Sequence, residues 1–310
     1  MYDRRRGNPG MLPNLVIAGA PKCGTTSFFA WLAEHPDVCG SKVKEARYFL
    51  DPGDPLFKEH SNYGDHGLAG YEAYFADCEG RQPTLVVEAT PVYLYQNSAP
   101  EGIAQIKPLP QIVLVLRKPS ERVYSHFHFL RDSLVRIDSR LPFGDFVELV
   151  RANDPRIPHY GHAKSIIDHS KYAAYLPAWL ERFPRSHLHL FLFEDLRRDP
   201  ASFMKTVAGR FDIDPSFYDS YSFARKNTTY RIRLPWLHRV RREAGRMLTA
   251  DVRKRLKAST ASAYARINVQ AAKGSRSPGD LEVLQALERD FGPCNERLAE
   301  LTGLDLTAWR

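Results

Sequence analysis

Cysteine is scarce in this chain, with Cys23, Cys39, Cys78 and Cys294 the four among 310 residues. They lie far apart, form no C-x-x-C pair and match no metal-finger spacing. That excludes a disulfide-dense scaffold and makes reduced thiols in a cytoplasmic protein the economical expectation. Long apolar runs are missing too: no stretch approaches the roughly 18 to 20 residues of a membrane span. Met1 to Pro13 has no apolar h-region, so residues 1–12 read as a short flexible basic tail on an unexported chain. No internal repeat or low-complexity tract points to a solenoid or a disordered protein. With 43% hydrophobic and 26% charged residues the chain has the balance of a folded globular protein, long enough for one large α/β domain.

Acidic residues are outnumbered, 36 against 44 Lys and Arg, for a formal charge of +8. The excess is regional. Residues 225–257 hold 12 basic and 2 acidic residues, a local +10, so the rest sums to about neutral. Such a stretch, amphipathic through Trp236, Leu237, Val240 and Met247, reads as a solvated or packed helix, a dock for an anionic acceptor or carrier, or a membrane or nucleic-acid patch. Nucleic acid is the weakest of these, because no recognition module accompanies the charge.

Short apolar runs recur at Leu15 to Ala20, Leu85 to Glu88, Gln111 to Arg117 and His187 to Phe193, separated by helix-like sequence. This alternation predicts a three-layer α/β/α fold with a mostly parallel central sheet. Pro119 to Arg136 and Ser170 to Phe183 carry apolar residues at helical spacing. Residues 52–79 and 141–169 read as loops of the kind that cover a substrate cleft. After Phe223 strand signals stop, so the expected partition is an α/β domain over 13–230 with a helical extension over 231–310 packed on it.

Gly19-Ala-Pro-Lys-Cys-Gly24-Thr25-Thr26 follows the first strand and opens a helix, where backbone N–H groups converge on phosphate oxygens. The G-x-x-x-x-G spacing is that of a P-loop, but Thr25 stands where the lysine belongs, and Lys22 lies three residues earlier. A later apolar strand ends in Arg117 where an NTPase places a magnesium-binding Asp. An arginine there repels a cation and attracts a second phosphate. His126-x-His128 and His187-x-His189 could suggest metal ligands, but the second pair would face one side of a strand without nearby Cys or carboxylate partners in sequence, so no metal site is expected.

Taken together these motifs resemble the sulfotransferase superfamily, closest in pattern to its heparan-sulfate-type and bacterial carbohydrate or small-molecule branches. Pro21 to Ser27 resembles the family's 5′-phosphosulfate loop. The resemblance implies that Lys22, Cys23, Gly24, Thr25, Thr26 and Ser27 bind the phosphosulfate of 3′-phosphoadenosine 5′-phosphosulfate (PAPS), with Lys22 on the transferring group. Arg117-Lys-Pro-Ser-Glu-Arg-Val-Tyr-Ser125 resembles the 3′-phosphate motif, implying that Arg117 and Ser125 grip that phosphate. Phe223-Ala-Arg225-Lys226-Asn227 resembles a segment that closes over it, with Asn for the family's Gly. No metal is implied; the product would be adenosine 3′,5′-bisphosphate (PAP).

Transfer to an alcohol needs a base at the acceptor oxygen. Val43-Lys-Glu45-Ala-Arg47-Tyr-Phe49 resembles the segment in which heparan-sulfate-type enzymes carry that base, which places Glu45 in the role. Its bland alternative is a solvated carboxylate paired with Lys44 or Arg47. Phenol and steroid sulfotransferases use a histidine on the next strand, but Val87 to Pro91 has none. Glu88 ranks second, as base or as a group orienting the site. Ala89, Arg47 and Leu50 replace the Lys, His and Asp of the glycan-modifying pattern, so the hydroxylated acceptor stays open among carbohydrate, lipid, polyketide and other natural-product alcohols, carrier-bound or anionic. A P-loop kinase using Glu88 for magnesium, and a non-catalytic nucleotide-binding module, are the competing readings; Thr25 and Arg117 oppose the first.

Overall fold

The computed structural model describes residues 11–224, 230–234, 268–271 and 276–309. Strand β1, Leu15–Gly19, is buried at all five positions, as is β3, Leu85–Ala89. With β2 (Val38–Gly40), β4 (Gln111–Leu116) and β5 (Leu188–Leu192) they form a sheet in the order β2-β3-β1-β4-β5, parallel throughout. Central strands covered on both faces read as continuous apolar runs, which is why they were visible in the sequence. The helices are α1 (Thr25–Ala33), α2 (Tyr63–Glu72), α3 (Ser98–Ile103), α4 (Pro119–His128), α5 (Phe143–Arg151), α6 (Leu176–Arg182), α7 (Phe193–Arg198), α8 (Pro200–Arg210) and α9 (Pro278–Thr302). The α/β expectation holds.

The described residues fall into two compact units. One lies within 1–122, 168–226 and 288–310 and contains the whole five-stranded sheet. The other lies within 123–167 and 227–287. Its Phe127 ring packs on Phe143 and Phe146 at 5.3 and 5.1 Å, and His128 and Arg131 both bond Asp132. It also contains strands the sequence did not reveal: Tyr230–Ile232 (β6) pairs antiparallel with Val269–Ala271 (β7). Three residues are too few for a periodic signal to emerge.

Other local expectations shift. The helix expected over Pro119 to Arg136 stops as α-helix at His128 and continues through a wider π turn, Phe129–Ser133. The segment read as loop between 52 and 79 contains α2, whose start is capped by Asn62 accepting from Asp65 N at 3.0 Å and whose middle is broken at Gly67, φ 55°. Among the described residues no helix is long and apolar enough to cross a membrane.

Cys39 and Cys78 form a disulfide, Cα to Cα 5.8 Å, which corrects the expectation of four reduced thiols. The partners stand 39 positions apart, one on β2 and one ending a 3₁₀ turn, Ala73–Cys78. Spacing in the chain carried no trace of that approach. Cys23 and Cys294 are free thiols.

Candidate active site

The chain leaves β1 for β2 and β3 on one side and takes up β4 on the other, so the strand order reverses between β1 and β4. In open parallel sheets ligands bind beyond the carboxyl ends of the strands at such a reversal. The loop 20–24 leaves β1 there and Arg117 leaves β4, so the two motifs become neighbours although far apart in sequence.

Loop 20–24 turns through left-handed backbone at Lys22 (φ 70°) and Gly24 (φ 78°). At Gly24 a side chain is excluded twice: the conformation favours glycine, and a Cβ would lie 2.9 Å from Cδ2 of Phe193. Glycine at the N-cap of α1 supplies no capping oxygen, and the first turn holds no acidic residue, so the positive end of the helix keeps its attraction for an anion. Thr25 and Ser27 are buried on that turn, with Thr26 partly buried between them.

Arg122, 1% exposed, donates from Nε to Pro21 O at 3.0 Å and from Nη1 to Ser170 Oγ at 2.7 Å, and its guanidinium lies over the Tyr95 ring. Arg117 donates from Nη1 to Lys22 O at 3.5 Å, pairs through Nη2 with Glu121 at 3.2 Å and stacks over Phe193. Tyr172 donates its hydroxyl to Arg117 O at 2.9 Å and lies 3.7 Å from Cys23 Sγ. Burial pushes the Cys23 thiol up, so it fills space as a neutral group. Arg122 and Tyr172 are support residues that sequence reasoning missed. Arg122 stood inside the quoted motif, but only a contact across the fold reveals what it holds.

Lys22 is partly buried, and its pKa is lowered to about 8, first by burial, then by the charge of Arg117, with Arg122 adding to the effect. Glu45 acts in the opposite direction, which places the expected base within electrostatic reach of the expected loop lysine. Glu45 N donates to Ala89 O at 2.9 Å. Its carboxylate pairs with Lys44 Nζ at 3.1 Å and Arg47 Nη2 at 2.8 Å, so both flanking cations hold it. Burial works to raise the Glu45 pKa, but those two partners outweigh it and leave the group below its ordinary value. Glu45 and Arg47 both adopt left-handed backbone, φ 64° and 54°.

Glu88 is fully buried. Its Oε1 accepts from Ala46 N at 3.2 Å and from Thr90 Oγ1 at 2.5 Å, and burial raises its pKa to about 7. Ser125 lies partly buried on α4, in the second unit. Arg225 and Lys226, with most of the basic 225–257 stretch, lie outside the described residues. What the first unit assembles is a cationic loop at a helix N-terminus, with the Glu45 carboxylate within electrostatic reach of Lys22.

The sequence profile of the sulfotransferase domain matches residues 12–216. Human bifunctional heparan sulfate N-deacetylase/N-sulfotransferase 3 is 26% identical over 208 residues, 66% of this chain and 23% of that protein. Membrane-associated sulfotransferase kil1 of Dictyostelium discoideum is 32% identical over 120 residues, 38% of this chain and 23% of that one. This chain thus spans about a quarter of the length of these curated relatives. Among solved structures, a sulfotransferase from Alicyclobacillus acidocaldarius superposes with a TM-score of 0.66 at 22% identity, covering 97% of this chain and 99% of that one. That last likeness is one of fold.

Proposed function

The chain belongs to the sulfotransferase domain family, and from that premise we propose that it moves a sulfuryl group from PAPS to an acceptor hydroxyl. One observation carries the reading most: Lys22 is held near 8 by burial and by two neighbouring guanidinium groups, a field that an anion at the loop relieves. Lys22 and the first turn of α1 would hold the 5′-phosphosulfate; Arg117, with Arg225 and Lys226, would hold the 3′-phosphate. In the transfer the bond from sulfur to the phosphate oxygen breaks, a bond from sulfur to the acceptor oxygen forms, and the acceptor proton passes to Glu45. Lys22 offsets the charge growing on the departing phosphate oxygen. Glu88 is a poor second base because its Oε1 is already committed to Ala46 N and Thr90. The same commitment weakens a kinase reading in which Glu88 organises magnesium.

The human relative's name specifies N-sulfation of heparan sulfate. Here Arg47 and Ala89 replace acceptor-side residues of the glycan-modifying pattern, so we propose only a hydroxylated carbohydrate or natural-product acceptor, free or carrier-bound. Calorimetry with PAP against ATP and magnesium tests the donor; tighter binding of ATP would overturn it. Labelled PAPS with a panel of sugars and alcohols then reads transfer, which Glu45→Gln should reduce roughly 10²-fold or more while PAP affinity holds. Unchanged turnover would remove Glu45 from the role.

We also propose cytoplasmic residence, against which one observation weighs: the Cys39–Cys78 bridge is of a kind that reducing compartments seldom preserve. Fractionation of the cells that make the protein decides the point, recovery with the cytosolic fraction supporting the proposal and recovery outside it refuting it.

A further inference from the structure

We propose that Glu88 is a positioning residue: with Thr90 and Tyr93 it fixes the Glu45–Tyr48 turn in the shape that presents the Glu45 carboxylate. The inference rests on the reading of Glu45 as the base. Four successive amides of the turn are each taken by β3 or by the residues just after it. Glu45 N reaches Ala89 O at 2.9 Å, Ala46 N reaches Glu88 Oε1 at 3.2 Å, Arg47 N reaches Thr90 Oγ1 at 3.1 Å, and Tyr48 N reaches the Tyr93 hydroxyl at 2.9 Å. Thr90 can accept from Arg47 because its own proton goes to Glu88. Glu88 therefore holds two of the four anchors, one directly and one through Thr90. From the other side Lys58 Nζ donates to Ala46 O at 2.7 Å, so the Ala46 residue is clamped at both its amide and its carbonyl.

The turn needs such anchoring. Glu45 and Arg47 are non-glycine residues in left-handed backbone with a single residue between them, a conformation that persists only where the surroundings over-determine it. Relaxing either residue would swing its side chain away and part the Glu45–Arg47 ion pair. The second oxygen of Glu88, Oε2, is buried, and the buried Tyr71 hydroxyl is its neighbour, coupled to the Glu88 carboxylate by charge and by a side-chain hydrogen bond too loose to satisfy either atom fully. A proton on Oε2 leaves Oε1 able to accept, so the turn survives protonation of Glu88, and a glutamine, which keeps an accepting oxygen, should stand in for it.

The test compares Glu88→Gln, Glu88→Ala and Thr90→Val by hydrogen exchange at amides 45–48, by calorimetric affinity for PAP, and by release of labelled sulfate from PAPS with water as acceptor. Glu88→Ala should speed exchange at these amides and lower kcat on the order of 10²-fold, the scale of an ångström-sized misplacement. KM for PAPS and PAP affinity should stay within about twofold. The acid limb of its kcat profile should move up toward the ordinary glutamate value, about 4.3, as Glu45 loses its partners. Glu88→Gln should stay within about threefold of the parent, a rescue that distinguishes lost positioning from lost charge. If Glu88→Ala fails to bind PAP because it does not fold, Thr90→Val, which breaks the second anchor, carries the test with the same expected pattern. Unchanged exchange at amides 45–48, or equal damage from Gln and Ala, overturns the proposal. Failure of the base reading looks different: Glu45→Gln would then leave sulfate release unchanged while Glu88→Ala still loosened the turn.

Discussion

Lys22 offers the sharpest quantitative test, because its proton should report on the donor. An ordinary lysine titrates at 10.5, and this one is lowered to about 8 by burial and then by Arg117. The negative charge of a phosphate bound beside it offsets the burial and the Arg117 charge and lets the pKa climb. If the climb restored the full 10.5 − 8 = 2.5 pKa units, the linkage would be about 3 kcal/mol. The sign follows from which state holds the proton more tightly. Around pH 7 the lysine is largely charged with or without ligand and gives PAP affinity little slope; above 8 the free protein loses the proton and the complex keeps it, so affinity falls. By pH 9.5 the loss should reach roughly 30-fold on full recovery, with close to one proton taken up per PAP at pH 9. Both phosphates of PAP, with second pKa values near ~6, are fully ionised in this range and contribute nothing to the slope. Calorimetry in two buffers of different ionisation enthalpy measures the uptake directly. The Cys23 thiol also titrates above its usual value, so Lys22→Met is the control: it should bind more weakly at pH 7 and lose most of the slope. A flat affinity from pH 7 to 9.5 in the parent protein would refute the assignment of Lys22 to the donor.

Three further outcomes are expected. Gly24→Ala should weaken PAP binding and destabilise the first unit by about 1 kcal/mol or more, since it puts a Cβ at positive φ and 2.9 Å from Phe193; urea unfolding and calorimetry read the two effects. Replacing Cys39 and Cys78 by alanine should cost up to about 4 kcal/mol by the loop-closure relation for a 39-residue separation, seen as a lower urea midpoint that reductant no longer shifts. In the second unit burial favours the neutral form of Asp132, but hydrogen bonds from His128 and Arg131 prevail and lower its pKa to about 2. A depressed carboxylate contributes stability that is complete above its unfolded value, 3.8, and is lost as pH falls toward 2. Asp132→Asn should therefore lower the melting temperature at pH 6 and flatten its decline between pH 4 and 2.

The sequence by itself determined the parallel α/β architecture and marked the two loop motifs that the fold brings together, because both are local. A buried parallel strand writes itself as an apolar run, and the loop after β1 and Arg117 after β4 are contiguous motifs whose position at strand ends already implies convergence at the strand-order reversal. Lys22 and Gly24 were legible for the same reason. Only tertiary structure decided what holds these pieces and tunes them. Arg122 supports Pro21 across 101 positions, Glu88 holds Ala46 across 42, and Cys39 meets Cys78 across 39. No local period or spacing records which distant backbone group a buried side chain will meet. The left-handed turn at Glu45 belongs to that second class: its sequence, KEAR, has no glycine to announce it, and its shape comes from anchors supplied by β3.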